Sequence, residues 1–495
     1  MMEKSHETGT NQLLVEATAK GKVDFKRSEA IPWLMYFCVF SADLPLITLG
    51  SCLVWGSSAI PKLHSNDTNI NPLEKPITAF QTSIIVSAPA FTSTFSLILL
   101  AKVSNLLGRK KCLILHSFLF VMCLSAIALS RHIYVYYTFF FVNGLNMSGI
   151  YINSVIYNSE VADDRNRAWI GCVVGLCTPT GILLGFIFGS FTSIKVFSFI
   201  CAIPAFIFLC MSLYIVESPM YLVYKNKDNT ALQILEKLRN NKSFGEIQTE
   251  YDKIKDLTLE YSYKNNKYCQ IFTTATSRRA LFISLFLCVF QQTTGVSTML
   301  AFAGTIFTEA GASLSADLVG ILMGVMQIVL NVTVIFSVNK IGRRRFILLS
   351  IIGCSISMFI LGIYFYLKSN NNSVPNYIKW LPVICALTFI SSYASGMGNI
   401  TASYISELFS SEFRTTGFAI AAVSDAAFAF SINFAFPLLQ ERLGIFSCLF
   451  IYSTISFIAF LILFAILPET TGKSFNEIQD LLGKRLRLWN TPKIY

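Results

Sequence analysis

The sequence predicts an all-α integral membrane protein. It has twelve transmembrane helices in two six-helix halves, repeated in parallel orientation, with a short cytosolic helical insert between them. Three observations predict this. The 495-residue chain is 54% hydrophobic and only 14% charged, against about 25% charged in soluble domains. Its apolar residues gather into runs that meet the roughly 20 residues a spanning helix needs. Three short charged motifs occur twice in the same order, at offsets of 234, 247 and 252 residues, as a duplicated chain requires.

The apolar runs cover 34–56, 79–101, 112–130, 135–157, 169–192 and 196–216, then 280–303, 316–338, 346–367, 380–406, 415–438 and 445–467. The chain therefore divides into an N-terminal arm (1–33), a first half (34–216), a linker (217–278), a second half (279–467) and a tail (468–495). In the linker, Ala231, Ile234, Leu235 and Leu238 follow a helical period, as do Ile247, Tyr251, Ile254 and Leu257, which predicts two or three short amphipathic helices.

Orientation follows from charge. The net charge of +11 would suit nucleic acid if the basic residues formed a patch. They lie instead in short loops and the arm: Lys20, Lys22, Lys26 and Arg27, then Lys102, Arg109, Lys110 and Lys111, then Lys340, Arg343, Arg344 and Arg345. This alternation puts both termini, the linker and those loops in the cytosol. Nucleic acid is excluded as a partner, and the lipid bilayer takes its place. Sequons at Asn66 and Asn371 fall in loops on the outer side and are expected to carry glycans. Those at Asn146, Asn331 and Asn399 fall inside spans, and that at Asn241 in the cytosolic linker. Two outward sequons lean towards the cell membrane as the location, and the polar arm predicts no cleaved signal peptide. Most of the thirteen cysteines sit inside apolar runs without metal-like spacing and read as small core-filling thiols.

The repeat carries the chemistry of a gate. Gly108-Arg109-Lys110-Lys111 matches Gly342-Arg343-Arg344-Arg345. Glu160 with Arg167 matches Glu407 with Arg414. Glu217-Ser218-Pro219 matches Pro468-Glu469-Thr470. All lie at cytosolic helix ends, where carboxylates and guanidiniums pair bidentately. Arg109, Glu160, Arg167, Glu217, Arg343, Glu407, Arg414 and Glu469 are thus the candidate cytosolic gate. A topology signal would need only the bases, whereas here acids recur with them.

A solute site is suggested by Phe290-Gln291-Gln292-Thr293-Thr294-Gly295-Val296-Ser297, a polar stretch at the start of the seventh span. A polar side chain without a partner in hydrocarbon costs several kcal/mol, so something polar must meet it. Parallel repeats place such a site near the bilayer midplane between the halves. Each glutamine offers two donors and an acceptor, the neutral chemistry that sugar hydroxyls need. Gln291, Gly295 and Thr298 share one helical face, and Gly295 permits a local break. The bland alternative is interhelical hydrogen bonding that only holds the bundle.

These motifs resemble the sugar porter family of the major facilitator superfamily across nearly the whole chain. Pro468-Glu469-Thr470-Thr471-Gly472-Lys473-Ser474 resembles its PET-x-GK signature, Gln291-Gln292-x-Thr294-Gly295 its QQ-x-SG motif, and Glu217-Ser218-Pro219 its PESPR motif. Trp55 to Leu63, after the first span, resembles insect members related to facilitated trehalose transporters. The resemblance implies a major facilitator fold. It also implies positions that have drifted here. Asn105 and Asn339 stand for the loop aspartate, Val216 and Met220 for the first proline and the arginine of PESPR, and Phe140 for the arginine of span 4. In the pocket, Gly175, Ser297 and Gln327 stand for a glutamine and two asparagines. Asn399 lies in the former proline-rich run, Ala402 replaces its tryptophan, and Asp425-Ala426 replaces Asn-Trp.

Gln291 and Gln292, with Ser297, Gln327, Asn399 and Asp425, are therefore the candidate substrate-binding residues. Asp43 and Asp425 are carboxylates within spans, each costing roughly 2.5–3.5 kcal/mol near a helix centre, and neither has a basic neighbour within the spans. Asp425 could take a substrate hydroxyl or cation, or a coupling proton. His116 and His132 show no ligand spacing. No metal, cofactor or catalytic residue is expected, and the chain is not read as an enzyme. The expectation is a transporter of a sugar or similar small hydroxylated solute, facilitative and working by alternating access, for which a monomer suffices. The alternatives are a proton-coupled symporter and a membrane sensor that binds solute without moving it.

Overall fold

The computed structural model describes residues 33–483 apart from 74, 164–165, 241, 265–270, 273, 371–374, 376–377, 410–412 and 474. Every regular element among these residues is helical. Span 1 is α1 (Trp33–Leu53) followed by α2 (Trp55–Leu63). Spans 2 to 6 are α3 (Ala79–Leu107), α4 (Arg109–Leu129), α5 (Ile133–Val161), α6 (Arg167–Phe191) and α7 (Ile194–Met211). The linker holds α8 (Pro219–Tyr224), α9 (Asp228–Leu238) and α10 (Phe244–Lys264). Span 7 is α11 (Ala275–Thr293) and α12 (Val296–Ala310), span 8 α13 (Ala316–Ile341), and span 9 α14 (Arg343–Asn370). Span 10 is α15 (Leu381–Ser395) and α16 (Thr401–Leu408). Spans 11 and 12 are α17 (Arg414–Leu443) and α18 (Ile445–Ile466), and α19 (Phe475–Gly483) follows.

Eleven helices among the described residues are long and apolar enough to cross a membrane. The 29-residue α3 takes the place of the remaining predicted span. The chain is a multi-pass membrane protein. One expectation needs correcting: Trp55 to Leu63 does not follow span 1 but continues it as α2, since Trp55 to Ile60 and Leu63 are all buried. Capping is local. Thr78 opens α3 with a capping box, its hydroxyl taking the Gln81 amide and its own amide donating to the Gln81 side chain at 2.8 Å.

The packing repeats with the sequence. Span 1 lies on 5 and 6 as span 7 lies on 11 and 12. Spans 2 and 4 pair as 8 and 10 do, and spans 3 and 6 as 9 and 12 do. Between the halves, span 2 packs on 11 and span 5 on 8, a pair of contacts that exchange under the repeat. A third seam joins α2 to α12 on the side away from the linker. There the Gly304 amide donates to the Ser57 hydroxyl at 2.8 Å, and a Cβ on Gly304 would fall on the Ser57 carbonyl. Small residues allow such backbone contact in membranes. The apolar core of the second half extends across this seam to Val54, Ile60, Ile182 and Phe186. The twelve cysteines of the described residues are free thiols, nine of them buried, in keeping with a packing role.

The linker is folded, as its periodicity predicts. Ala231, Leu235, Leu238, Ile247 and Tyr251 are buried, while Leu257 is exposed. Its anchor is Arg239, only 2% exposed. The guanidinium donates to the Val161 carbonyl at 2.9 Å and to that of Ala162 at 3.2 Å, the open end of α5, and pairs with Glu250 at 2.8 Å. A cation at a helix C-terminus satisfies carbonyls that have no partner within the helix. Lys242 bridges Asp163 and Glu250 beside it at 2.8 and 3.0 Å. Burial acts to lower the Lys242 pKa, but the hydrogen bonds it donates to its two carboxylate partners, with their charge, outweigh burial and raise the ammonium above its ordinary value. That stabilisation is complete at neutral pH and is lost only above the usual lysine range.

Removing the Arg239 side chain leaves two helix-end carbonyls without their cation and Glu250 with Lys242 alone. Arg239→Ala should cost about 3 kcal/mol, read as a lower melting temperature of the purified protein and faster proteolytic cleavage within the linker. An unchanged cleavage rate would show that the linker is held by its apolar face alone.

Candidate functional site

The site is built on a break in span 7. Helix α11 stops at Thr293, and Gly295 takes a left-handed φ of +84° before α12 starts. A residue with a Cβ is strained there, and one on Gly295 would also come within 2.8 Å of the Tyr452 ring. The break frees carbonyls in an apolar setting, and neighbouring hydroxyls take them up. Thr293 Oγ1 donates to the Phe290 carbonyl at 3.2 Å and Thr294 Oγ1 to that of Gln291 at 2.7 Å. Interrupted membrane helices depend on this kind of local satisfaction.

The turn splits the side chains that a continuous helix would align. Gln291 Nε2 donates to the Tyr393 hydroxyl of α15 at 3.0 Å. Gln292 Nε2 donates to Asp425 Oδ1 of α17 at 2.9 Å, and Ser297 Oγ donates to Gln292 Oε1. Thr298 meets the Tyr452 hydroxyl of α18 at 3.3 Å. The expected shared face of Gln291, Gly295 and Thr298 is therefore not formed, because the left-handed residue rotates α12 relative to α11. Ser297, Gln292 and Asp425 come together instead as one chain of hydrogen bonds. From the first half, Tyr151 of α5 lies within electrostatic range of Asp425 and is 45% exposed.

The other candidates lie apart from this chain. Asn399 sits where span 10 is interrupted, and its amide donates to Asn331 Oδ1 at 2.5 Å and the Ala394 carbonyl at 2.7 Å. Gln327 of α13 is 8% exposed, and its Oε1 has no hydrogen-bond partner. Gly175 faces open space, with nothing within 4 Å of an added Cβ. Asp43 is 2% exposed and takes the Asn158 amide at 2.5 Å, while its Oδ2 has no partner. Sequence reasoning missed Tyr393, Tyr151 and Tyr452. A signal existed for Tyr393, which follows Ser391-Ser392 inside an apolar run and precedes Gly396, since a buried tyrosine hydroxyl seeks a partner.

On the linker side each half holds a charged cluster, and the two share an Arg–Glu pair, a glutamate that accepts a helix-opening amide and a tyrosine that reaches a carbonyl. In the first, Arg109 pairs with Glu160 at 3.0 Å, and Ser218 Oγ donates to the same carboxylate. The Lys110 amide donates to Glu217 at 3.0 Å, and Tyr157 donates to the Val216 carbonyl at 2.7 Å. In the second, Arg343 pairs with Glu407, the Arg344 amide donates to Glu469 at 3.5 Å, and Tyr404 donates to the Pro468 carbonyl at 2.5 Å. Gly108 and Gly342 begin the two clusters with the same φ of +99°. These bonds tie helices within one half. Arg167 is exposed at the start of α6, and Arg414 begins α17. Among the described residues no group of His, Cys, Asp or Glu could hold a metal.

A family model described as "Sugar (and other) transporter" matches residues 51–482. The chain is 27% identical to the probable metabolite transport protein CsbC of Bacillus subtilis, over 83% of this chain and 88% of that one. It is 24% identical to the facilitated trehalose transporter Tret1 of Culex quinquefasciatus, over 91% and 87%. Among solved structures, the inward open conformation of the xylose transporter XylE from E. coli superposes with a TM-score of 0.74 at 19% identity, covering 90% of this chain and 99% of that one. That likeness supports the major facilitator fold. The chain belongs to the sugar (and other) transporter family and is a membrane transporter, not an enzyme.

Gly295→Ala should destabilise the protein by about 1–3 kcal/mol, the usual cost of a strained backbone position, and weaken solute binding with it. A thermal-unfolding comparison with Gly311→Ala, whose left-handed glycine lies at the far end of α12, separates loss of the break from general strain. Equal solute affinity in the two variants would mean that the break does not shape the site.

Proposed function

We propose that this chain carries a sugar, or a similar small hydroxylated solute, across the cell membrane by facilitated diffusion, with both termini in the cytosol. The observation that carries the proposal is the polar cluster of Gln291, Gln292, Ser297 and Asp425. It sits at a helix break in the second half, within electrostatic range of Tyr151 of the first. Transporters of repeated architecture bind at such interrupted helices near the midplane. Gln291 and Gln292 orient the solute, because amides offer hydroxyls both donors and acceptors. Gln327 and Asn399 contribute from spans 8 and 10, Gln327 through its unpartnered oxygen.

Alternating access then needs two rigid halves that rock about this site. The matching clusters supply the rigidity on the cytosolic side. Arg109, Glu160 and Glu217 fasten spans 3, 4 and 6, while Arg343, Glu407 and Glu469 fasten spans 9, 10 and 12. Arg167 and Arg414, at the cytosolic ends of spans 5 and 11, provide cations that close one half on the other in the opposite state. The packing of α2 on α12 supports a closure on the outer side in this reading. Family membership favours transport over solute sensing, and the facilitative reading over proton coupling accords with the trehalose-transporter relatives.

The direct test is counterflow of radiolabelled glucose, xylose and trehalose in liposomes containing the purified protein. Saturable counterflow of at least one is expected. Gln291→Ala and Gln292→Ala should each lower the apparent affinity about tenfold, as loss of a paired polar contact with substrate does. Binding without counterflow would end the transport reading. The orientation has its own check. Asn66 is exposed on the side assigned outside, whereas Asn371 lies beyond the described residues. Asn66→Gln should remove one glycosidase-sensitive step in electrophoretic mobility when the protein is expressed in insect cells. A glycan on Asn241 instead would invert the topology.

A further inference from the structure

Asp425 is the residue that a neutral solute does not explain. Spans 4, 7, 10 and 11 surround it, and it is the only charged residue of either sign within 133–159, 280–308, 381–406 and 416–440. No histidine lies in those stretches either. The carboxylate has one hydrogen-bonded neighbour, the Gln292 amide at 2.9 Å. The other titratable side chains that face it, Tyr151, Tyr393 and Cys288, bring no positive charge. A carboxylate inside a membrane bundle pairs, titrates or meets a cavity. This one is half-buried, beside a tyrosine that is 45% exposed.

The hydrogen-bond arrangement adds a second constraint. A neutral hydroxyl offers both a donor and an acceptor, and an amide is its natural match. Here one Gln292 amide hydrogen is committed to Asp425, and the Ser297 hydroxyl is committed to the Gln292 oxygen. Gln291 likewise commits one amide hydrogen to Tyr393. Each glutamine keeps a second amide hydrogen for a neutral hydroxyl, so what the chain of groups leaves unanswered is the one negative charge. An ammonium group supplies the complement, three donors and one positive charge. Pairing it with the carboxylate as the site closes also neutralises both ions away from water, where such pairs gain most.

We propose that the preferred solute is an amine-bearing sugar or polyol, protonated on nitrogen, and that Asp425 receives its ammonium. This rests on the transporter reading above and narrows its substrate class. Gln292 and Ser297 are then positioning residues that aim the carboxylate, and Gln291 remains the group for neutral hydroxyls.

The test uses the full-length protein purified in detergent at pH 6.5, with affinities from thermal shift and transport from liposome counterflow. The probes are two matched series: glucose, N-acetylglucosamine and glucosamine, and trehalose with trehalosamine. The amine-bearing member of at least one series should bind about tenfold or more tightly than its uncharged counterparts. That preference should shrink as pH rises through the amine's own titration. Asp425→Asn should abolish the preference, and the comparison within the wild type is decisive even if this variant folds poorly. Amines that bind no better than uncharged sugars overturn the inference, including the case of a permanently protonated Asp425. If uncharged sugars still bind and exchange, the transporter reading stands without it. If no member of either series binds, both fall.

Discussion

The structure depends on one constraint: a polar group inside the bilayer must find a partner within the protein. Span 7 breaks the usual apolar pattern between Phe290 and Ser297, and the fold supplies a partner for each polar side chain there. Thr293 and Thr294 turn back onto the carbonyls that the break exposes. Gln291 reaches span 10, Gln292 reaches span 11, and Thr298 reaches span 12. The second half is therefore pinned together by these groups, the same ones proposed to meet the solute. A helix of leucine there would span equally well and would make none of these ties.

The same constraint explains the linker side, where the solvent changes from lipid to water. Helices end there, and their last carbonyls and first amides need partners. The duplicated Arg–Glu pairs, the glutamates that accept the opening amides of α4 and α14, and the tyrosines that reach neighbouring carbonyls are one solution used twice. Because each cluster closes within its own half, it stiffens that half. Under the proposed alternating access, rocking would disturb few of these bonds, which lets two states lie close in free energy. Arg239 extends the first half's cluster into the linker by capping α5, so the linker moves with that half.

Much of this was legible in residue patterns. Hydropathy fixes the spans because a spanning helix has a minimum length, and the repeat fixes the two halves because its motifs recur in register. The charged residues on the linker side were readable as a set, because acids recur with bases in both halves, but not their pairing: Glu160 and Glu407 each lie seven residues before an arginine, yet they pair with Arg109 and Arg343 from another helix. The break at Gly295 was foreseeable from glycine beside two threonines. The pocket was less so. Tyr151, Tyr393 and Tyr452 belong to three different spans, and nothing local distinguishes a tyrosine facing a cavity from one at the lipid boundary. The shared face of Gln291 and Thr298 failed because helical periodicity holds only while the helix continues.

By itself, then, the sequence determined what depends on composition and order along the chain: a membrane protein, twelve spans, two repeated halves, a folded linker and a polar interruption in span 7. These follow from solvent and periodicity, which act locally. Tertiary structure alone decided which polar groups meet. Asp43 finds Asn158 across 115 residues, and Asp425 finds Gln292 across 133. Such pairings depend on how far each helix is rotated about its axis, and that rotation is set by packing over the whole bundle. It turns Asp425 from an isolated charge in a list of spans into the centre of a site.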